Sequence, residues 1–461
     1  MIEANKFTDE VIGIIRDLQK HKHEVYIVGG AVRDILLGKE VHDWDFTTDA
    51  KPKEIQTIFP KSFYSNKFGT VSIPSNNEGT HPHEITTYRT EQGYKDYRRP
   101  TKVLWGTTLE EDLKRRDFTI NAMAIAVSSK ANEAPMQFQL RDIHGGQKDL
   151  KSKKIRAVGD PNERFSEDAL RLLRAIRIAA ELKFKIEEKT MDAIKTNASL
   201  INKIAAERIR DEFIKIISSP HPDYGIYLLR EADLLKEILP ELEKTFGVEQ
   251  KSPGRHHIYD VGTHLVNSLK EVSKKTQDPI VRIATLLHDI GKPQTFKKLE
   301  SGTITFYNHE TVGARMIKHI SQRLRFSKKQ SDKLWKLVRY HQFTVDENQT
   351  DTSIRRFIRK VTPEYVEDML DLRVGDRLGG GATETSWRLE EFKKRLVEVQ
   401  KQPFSINDLK VDGNDVMKEL KIKPGPTVGQ ILKNIFKMVI DKKVPNEKAA
   451  LLKTIKEFVS P

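Results

Sequence analysis

The spacing of apolar residues divides the chain into a mixed first part and a helical remainder. Apolar residues at three- and four-residue intervals predict an amphipathic helix over Phe7–Lys20. The unbroken apolar run Val25–Val28 predicts a short buried strand, which leads into a glycine pair and a helix over Ala31–Leu37. Three more strands are predicted, over Thr70–Ile73, Glu84–Tyr88 and Ala122–Val127.

The pattern changes after this first part. From Phe165 to Ser218 it is helical, and it remains helical from Lys251 to Gly380, where histidines become frequent. The run Gly379–Gly381 is interpreted as a flexible junction, because glycine clusters interrupt regular structure. Short helices flank the turn signal Lys423–Pro426 in the last segment. The predicted fold class is α+β, with a mixed sheet in an N-terminal unit and helices in the rest.

Composition sets the scale and the charge. The chain has 461 residues, of which 37% are hydrophobic and 32% charged, and its net charge is +14. This length suits about three domains. A solvated basic surface fits the charge, and so does an acidic polymer partner, because Lys and Arg gain affinity by displacing the counterions of phosphates.

The chain contains no cysteine. Disulfides, thiolate metal sites and a thiol nucleophile are therefore excluded, which fits a reducing cytosol. The first residues, Met1–Lys6, lack the basic-then-apolar pattern of a secretory signal. No apolar run approaches the length of a membrane span. The sequence predicts a cytoplasmic protein without a membrane partner.

The most informative chemical signal is the pair Gly29–Gly30, followed by Asp43 and Asp45. Two glycines directly after a strand let the backbone approach a phosphate closely, because no Cβ is in the way. Two aspartates at this spacing on a strand point to the same face. Such a pair suits Mg²⁺ bound to substrate phosphates, so the pattern predicts metal-assisted phosphoryl or nucleotidyl transfer. Taken alone, the glycine pair is also explained by an ordinary turn, and the aspartate pair by a solvated loop.

Several segments together resemble the motifs of bacterial-type, class II tRNA nucleotidyltransferases. These are the CCA-adding enzymes, close relatives of bacterial poly(A) polymerases. The resemblance covers nearly the whole chain in the family's order. Its segments are Gly29–Asp34, Asp43–Asp45, Glu84–Thr90, Tyr94–Pro100 (a flexible loop in the family), Arg115–Ala122, Val411–Asp415 and Pro424–Pro426.

The resemblance implies roles for individual residues. It makes Asp43 and Asp45 the catalytic carboxylates and the ligands of Mg²⁺. It implies nucleotide-binding residues in the two other head motifs, namely Gly29, Gly30, Arg33, Arg116, Asp117 and Asn121. The sequence leaves Arg115–Asp117 open as a solvated helix start. It also leaves Glu84 open as a third active-site carboxylate or an edge-strand glutamate.

A second motif in the helical part resembles the family's base-recognition segment. Asp168 and Arg171 are three residues apart, which places them on one face of a helix. A carboxylate can accept from the exocyclic amine of cytosine or adenine, and a guanidinium can donate to the ring nitrogen. This pair would accept CTP and ATP and reject UTP and GTP, although an ordinary ion pair has the same spacing. Arg174 and Arg177 continue the three-residue spacing; each could contact the phosphates of the nucleotide or only cover the helix surface with its aliphatic stem. The segment Glu207–Glu212 is expected to brace this helix.

A histidine-containing constellation lies further along the chain. Its context, Leu286–Lys292, resembles the His-Asp (HD) phosphohydrolases. The resemblance implies a metal site formed by His264, His288, Asp289 and Asp376, and imidazole ligands favour a divalent transition metal. His309 and His341 could hold a second metal. The implied activity is that of a phosphomonoesterase or cyclic phosphodiesterase.

The resemblances together imply four regions and one main activity. The regions are a DNA polymerase beta-like nucleotidyltransferase head (1–145), a helical neck with the base selector (146–225), an HD-type helical domain (226–385) and a tRNA-binding tail (386–461). The expected reaction is template-independent CCA addition to tRNA from CTP and ATP, with an accessory phosphohydrolase. The alternatives are an A-adding, CC-adding or poly(A)-adding relative, an HD hydrolase acting on RNA ends, and a noncatalytic RNA-binding module. From residue 401 onward, twelve Lys face seven Asp or Glu, which suits contact with RNA phosphates.

Overall fold

The structure is a computed structural model. It describes residues 6–64, 69–75, 82–95, 99–105, 108–128, 137–250, 259–343, 349–400, 406–441 and 443–457. Of the predicted flexible loop Tyr94–Pro100, residues 96–98 lie outside the described part. No helix within the described ranges is both long and apolar enough to span a bilayer.

The head is built on a seven-stranded mixed sheet whose order is β3-β4-β5-β2-β1-β8-β9. Only the central β2 and β5 are parallel, and the other neighbours are antiparallel. A separate hairpin, β6–β7, follows β5. The strands are β1 (Val25–Val28), β2 (Asp45–Thr48), β3 (Phe63–Tyr64), β4 (Thr70–Ile73), β5 (His83–Thr87), β6 (Arg89–Lys95), β7 (Arg99–Trp105), β8 (Ala124–Ser128) and β9 (Gln137–Arg141). The head helices are α1 (Asp9–Lys20), α2 (Gly30–Leu36), α3 (Pro52–Ile58), α4 (Leu109–Lys114) and α5 (Gly146–Lys151).

The sequence located four strands of the sheet, but it gave no bounds for the middle strand β2 and missed the edge strands. The strands predicted at Val25–Val28 and Thr70–Ile73 have those bounds, and the two other predicted strands are shifted by one or two residues. The edge strands β3 and β9 were not predicted. All residues of these two strands are exposed or half-buried, so the strands lack the buried apolar run that reveals a central strand.

The rest of the chain is helical apart from two short strand pairs, β10–β11 and β12–β13. The predicted α+β class is thereby confirmed. These strands are β10 (Lys154–Ile155), β11 (Lys185–Ile186), β12 (Lys297–Lys298) and β13 (Ile304–Thr305). The helices are α6 (Pro161–Glu167), α7 (Leu170–Leu182), α8 (Glu188–Asn197), α9 (Ala206–Ser218), α10 (Pro222–Glu231), α11 (Leu234–Ile238), α12 (Pro240–Glu243), α13 (Val261–Val272), α14 (Pro279–Leu287), α15 (Lys292–Thr295), α16 (His309–Arg323), α17 (Lys328–Tyr340), α18 (Asp351–Val361), α19 (Val366–Gly379), α20 (Trp387–Gln400), α21 (Gly413–Leu420), α22 (Pro426–Ile440) and α23 (Lys448–Glu457).

Two apolar cores account for most of the buried side chains. The larger core runs from Phe7 in the head to Val399 on α20. The smaller core joins α21, α22 and α23 and contains Val416, Ile435 and Leu451. Head, neck and histidine-rich helices thus share a continuous interior, whereas the last three helices form their own.

The interpretation of Gly379–Gly381 as a flexible junction is wrong for Gly379. This residue ends α19 and is buried against α13. A Cβ at Gly379 would lie 2.2 Å from the Ser268 Oγ and 2.5 Å from the Ser268 nitrogen. The glycine therefore permits close contact between two helices instead of a bend.

The contact predicts a stability loss on substitution. Gly379→Ala is expected to lower the free energy of unfolding by about 1–3 kcal/mol, because the added methyl group overpacks the interface between α13 and α19. The matched control is Gly429→Ala on α22, where a Cβ would have nothing within 4 Å. That control should be neutral or stabilising by about 0.5–1 kcal/mol. Chemical denaturation followed by circular dichroism compares the two variants, and equal midpoints would contradict the packing argument.

Candidate active site of the head and a buried histidine cluster

The turn between β1 and α2 requires glycine. Gly29 has a φ of +75°, and a Cβ on it would lie 2.9 Å from Asp45 Oδ2 and 3.3 Å from an Arg116 nitrogen. Gly30 is the first residue of α2. The predicted close approach at this turn is therefore present, with Asp45 and Arg116 directly beside the backbone.

Arg33 lies on α2, three residues after Gly30. Its guanidinium donates to both oxygens of Asp34 at 2.9 Å and to Asn121 Oδ1 at 3.0 Å. Two predicted nucleotide-binding residues, Arg33 and Asn121, are thus hydrogen-bonded to each other. Neither is among the residues lining the cavity described below.

The carboxylates converge from two strands and the segment before β2. The premise that Asp43 and Asp45 share one strand is wrong, because β2 begins at Asp45 and Asp43 precedes it. In the parallel β2–β5 pair, Asp45 lies opposite Glu84. Burial raises the pKa of Asp45 to about 6. The charges of Glu84 and Asp43 raise this pKa further, and the Arg116 guanidinium opposes the increase. Burial and the charge of Asp43 also raise the pKa of Glu84.

Burial is the largest cause of both raised pKa values, and the neighbouring carboxylates add electrostatic repulsion to it. A divalent cation with oxygen ligands would relieve the repulsion, so the donor set fits the metal expected for phosphate chemistry. Glu84 was one of two open interpretations, and its place beside Asp45 supports a role as a third carboxylate.

A cavity of about 430 Å³ lies in front of Asp45 and Glu84. Its wall comes from the sheet, from the segment after α4, and from the neck helices. Six arginines line it, namely Arg89, Arg115, Arg116, Arg171, Arg174 and Arg208. The volume falls within the usual range of ligand pockets, and guanidinium groups are suited to bind phosphates. The cavity can therefore hold a polyanion next to the carboxylates.

Asp117 and Arg174 connect the head to the neck. Arg174 on α7 donates to Asp117 Oδ2 through two nitrogens, at 2.6 and 2.8 Å. Burial favours the protonated acid, but the Arg174 guanidinium and the Phe118 amide lower the pKa of Asp117 to about 2. Asp117 is therefore ionised at neutral pH and holds Arg174 at the cavity wall.

The base-selector residues differ in detail from the prediction. Asp168 does not share a helix face with Arg171, because it lies in extended conformation between α6 and α7. Its side chain accepts from the amide of Leu170, the first residue of α7, at 3.1 Å. Arg171 donates to Glu167 at 2.7 Å and to the Arg115 carbonyl at 2.9 Å instead of to Asp168. Both Asp168 and Arg171 nevertheless line the cavity.

The sequence argument missed Arg208. This residue on α9 approaches Asp168 Oδ2 at 3.8 Å and lines the same cavity. Arg177 instead pairs with Glu212 at 2.9 Å, away from the cavity wall. Glu212 therefore braces α7 as expected. The spacing of Arg208 and Glu212, one turn apart on α9, was the available signal that both face α7.

A second constellation is buried among the histidine-rich helices. All four predicted ligands meet there: His264 on α13, His288 and Asp289 at the end of α14, and Asp376 on α19. His264 Nε2 is 3.2 Å from Asp376 Oδ1, and His288 Nε2 is 3.3 Å from Asp289 Oδ2. These four side chains surround one position.

The other Asp289 oxygen faces a second group. His309 Nε2 lies 3.0 Å and His341 Nε2 3.5 Å from Asp289 Oδ1. The two imidazole Nε2 atoms are 3.3 Å apart. Asp289 therefore lies between two ligand groups, an arrangement that could bridge two metal ions.

Backbone carbonyls orient three of the imidazoles. The Nδ1 atoms of His288, His309 and His341 are 2.7–2.8 Å from the carbonyls of Thr285, Phe306 and Val338. Such contacts fix Nδ1 as the protonated nitrogen and leave Nε2 free for a metal. Burial opposes protonation, but Asp289 and Asp376 raise the pKa of His288 to about 10. The site therefore attracts positive charge, which fits a divalent metal.

Comparison with known proteins agrees with both the order and the extent of these elements. Residues 25–156 match the family model "Poly A polymerase head domain". Residues 183–246 match "Probable RNA and SrmB- binding site of polymerase A", and residues 305–455 match "tRNA nucleotidyltransferase domain 2 putative".

Individual relatives give the same result. The CCA-adding enzyme of Lactobacillus helveticus is 44% identical over 52% of this chain and 58% of its own length. That of Lactococcus lactis subsp. cremoris is 30% identical over 97% of this chain and 95% of its own. The crystal structure of the Bacillus stearothermophilus CCA-adding enzyme in complex with CTP superposes with a TM-score of 0.66 and 26% identity, covering 97% and 96% of the two chains. The chain therefore belongs to the family of CCA-adding enzymes.

Proposed function

We propose that this protein adds CCA to the 3′ end of tRNA from CTP and ATP in the cavity between head and neck. The observation that carries the assignment is the meeting of Asp45 and Glu84 with six arginines in one cavity. The carboxylates are placed to bind metal, and the guanidinium groups are placed to bind a triphosphate. The CTP complex of the Bacillus stearothermophilus relative supports CTP as a substrate.

Asp43 and Asp45 would hold Mg²⁺, with Glu84 beside them. When bound, Mg²⁺ would neutralise the triphosphate and favour ionisation of the attacking 3′-hydroxyl. The hydroxyl oxygen forms a bond to the α-phosphorus, the bond to pyrophosphate breaks, and the hydroxyl proton leaves to solvent. Arg116, 3.1 Å from the buried Asp112, would steady the phosphates from the turn side.

The base would be read by neck residues instead of by a template. Asp168 supplies a carboxylate that can accept from an exocyclic amine, and Arg171 and Arg208 supply guanidinium donors along the same wall. Uracil and guanine present a carbonyl and a ring N–H at these positions, so both contacts would be mismatched. The selector therefore includes Arg208 in addition to the two residues of the sequence motif.

Replacing the selector carboxylate should relax nucleotide choice. Asp168→Ala is expected to raise incorporation of UTP or GTP relative to CTP and ATP by about tenfold to a hundredfold, because losing a hydrogen bond to a charged group costs roughly 1.5–3 kcal/mol. Glu163→Ala is the matched control, because this carboxylate is exposed on α6 outside the cavity wall. Single-nucleotide incorporation into a tRNA acceptor measures both variants. Unchanged selectivity among the four nucleotides would refute the assignment.

Three acceptors test the main activity directly. Transcripts of one tRNA that lack CCA, CA or the final A are incubated with CTP, ATP or both, and the products are separated by size. Completion of all three acceptors is expected. Extension of only some acceptors would identify an A-adding or CC-adding enzyme, and long adenylate tails would identify a poly(A)-adding relative.

The C-terminal helices are proposed to hold the tRNA. Region 386–461 includes the separate core formed by α21, α22 and α23, and residues 401–461 carry twelve Lys against seven acidic residues. Lysine contacts to phosphates position an RNA without reading its sequence. This region would grip the acceptor arm while the head (1–145) and neck (146–225) perform the reaction.

A second function is proposed for region 226–385. The observation that favours it is the buried cluster in which Asp289 lies between two histidine groups. A divalent transition metal bound there would activate a water molecule and polarise a phosphate. In hydrolysis of a 2′,3′-cyclic phosphate, the water oxygen bonds to phosphorus, one bond from phosphorus to a ribose oxygen breaks, and that oxygen takes a proton. A second hydrolysis releases phosphate and leaves the free 3′-hydroxyl that nucleotide addition requires.

A further inference from the structure

Two unusually exposed aromatic side chains mark the surface near the histidine cluster. Tyr307 is 77% exposed and Trp387 is 63% exposed, the two highest values among aromatic residues in the described part of the chain. Large apolar rings at this exposure leave apolar area in water. Tyr307 precedes α16 and Trp387 begins α20, yet both line cavities that adjoin the cluster.

Three neighbouring cavities share lining residues. The cluster itself opens into a cavity of about 410 Å³. A neighbouring cavity of about 710 Å³ shares Tyr307, Asn308 and Gln342 with it. A third, of about 400 Å³, shares Phe343 with the second and Arg373 with the first. We call the second and third cavities together the aromatic–basic groove.

The groove is strongly positive. Its basic residues are Arg339, Arg356, Lys360, Arg373, Arg377 and Arg388. Among the described residues that line it, Glu310 is the one acidic side chain, and it pairs with Arg339 at 3.4 Å. The groove therefore complements a polyanion.

Three aromatic rings of the groove each have a guanidinium group beside them. The Arg373 guanidinium lies 5.6 Å from the Phe343 ring centroid, and that of Arg339 lies 5.4 Å from the Tyr340 ring. At the far end, the Arg388 guanidinium lies 5.2 Å from the Trp387 ring. A positively charged groove that also presents aromatic rings is suited to single-stranded nucleic acid, with bases stacked on rings and phosphates on cations.

From this arrangement we infer that the substrate of the histidine cluster is the 3′ end of a single-stranded RNA segment lying in the aromatic–basic groove. The inference rests on the hydrolase proposed above and specifies its substrate class. A free mononucleotide would need only the 410 Å³ cavity at the cluster. A polynucleotide accounts for the adjoining groove, because its preceding bases can stack on Tyr307 and Trp387 while its terminal phosphate enters the cavity at the histidine cluster.

The test compares a polymer with a monomer at one metal site. The full-length protein is loaded with Mn²⁺, Co²⁺ or Ni²⁺ in separate reactions. It is given either a short single-stranded RNA ending in a 2′,3′-cyclic phosphate or the corresponding 2′,3′-cyclic mononucleotide. We expect a KM at least about tenfold lower for the RNA, because each stacked base contributes affinity.

Substitutions of groove residues then test whether the groove causes the preference for RNA over the mononucleotide. Trp387→Ala and Arg356→Ala should each raise the KM for RNA about five- to tenfold and leave mononucleotide hydrolysis within twofold, because neither residue lines the cavity at the cluster, whereas Trp387→Phe should retain the RNA preference because it keeps a ring. The matched control for Arg356 is Arg359→Ala, because Arg359 is an exposed arginine on the same helix, α18. The matched control for Trp387 is Tyr64→Ala, because Tyr64 is a 45% exposed tyrosine of the head. Both controls should behave as wild type.

The outcomes separate this inference from the hydrolase itself. Equal KM values for RNA and mononucleotide would overturn the inference and leave the hydrolase intact. Hydrolysis of neither substrate with any metal would overturn the hydrolase and the inference with it. Groove variants that impair CCA addition and leave RNA hydrolysis unchanged would assign the groove to acceptor binding and also overturn the inference.

Discussion

Asp45→Asn is expected to abolish nucleotide addition, with a loss of at least about a thousandfold in turnover on every acceptor. The substitution keeps the size of the side chain and removes the negative charge that lies opposite Glu84. Metal ions contribute several kcal/mol of charge stabilisation to the transition state, and about 4 kcal/mol corresponds to a thousandfold in rate. Asp43→Ala is expected to have the same effect, because Asp43 contributes to the same crowded negative charge.

Two readouts separate lost chemistry from lost structure. Binding of tRNA, followed by a mobility shift, should persist in both variants, because the proposed tRNA grip lies in the C-terminal helices. Asp49→Asn is the matched control, since this exposed carboxylate follows β2 and accepts from the Glu24 amide outside the cavity. Near-normal turnover of Asp45→Asn in Mg²⁺ would show that the proposed site is wrong.

Asp289→Asn is expected to abolish phosphohydrolysis and to leave CCA addition within about twofold of wild type. Asp289 faces both histidine groups, so its loss should weaken metal binding at both positions. His309→Ala should also lower the rate of hydrolysis by at least about a hundredfold, because it removes a proposed metal ligand. Mutating even a residue that only orients a metal ligand typically costs about ten- to a hundredfold in metal affinity or activity. His319→Ala on the same helix is the matched control, because His319 is exposed.

Metal content gives this prediction a readout besides activity. Elemental analysis after dialysis should find less bound Mn²⁺, Co²⁺ or Ni²⁺ in Asp289→Asn and His309→Ala than in the wild type and in His319→Ala. Activity should be higher with these metals than with Mg²⁺, because imidazole ligands favour transition metals. A folded Asp289→Asn protein that cannot add CCA would show that the two sites are not independent.

The sequence was sufficient for two features near the head site that depend on residues close together in the chain. These are the strand Val25–Val28 and the Gly29 turn. Apolar runs determine a central strand, and a positive φ favours glycine, whatever the rest of the fold does. The motif His288–Asp289 was visible for the same reason.

Side-chain partners were beyond the reach of spacing alone. A helical pattern predicted Asp168 beside Arg171, but the Asp168 side chain accepts from the Leu170 amide and Arg171 donates to Glu167. Asp side chains favour positions just before a helix because their oxygens accept from free backbone amides. The choice between a continuous helix and a break at Asp168 depends on how α7 packs against the head and α9.

By itself, then, the sequence determined the α+β class and predicted the order of the regions and the residues proposed to carry the chemistry, because these depend on local periodicity and motif order. Only the tertiary structure placed Glu84 opposite Asp45, brought Arg208 to Asp168, and set Asp289 between two histidine groups. It also showed that Tyr307 and Trp387 line one groove although 80 positions separate them in the numbering. Such meetings depend on strand register and helix packing between distant segments, which the spacing of residues along one chain does not specify.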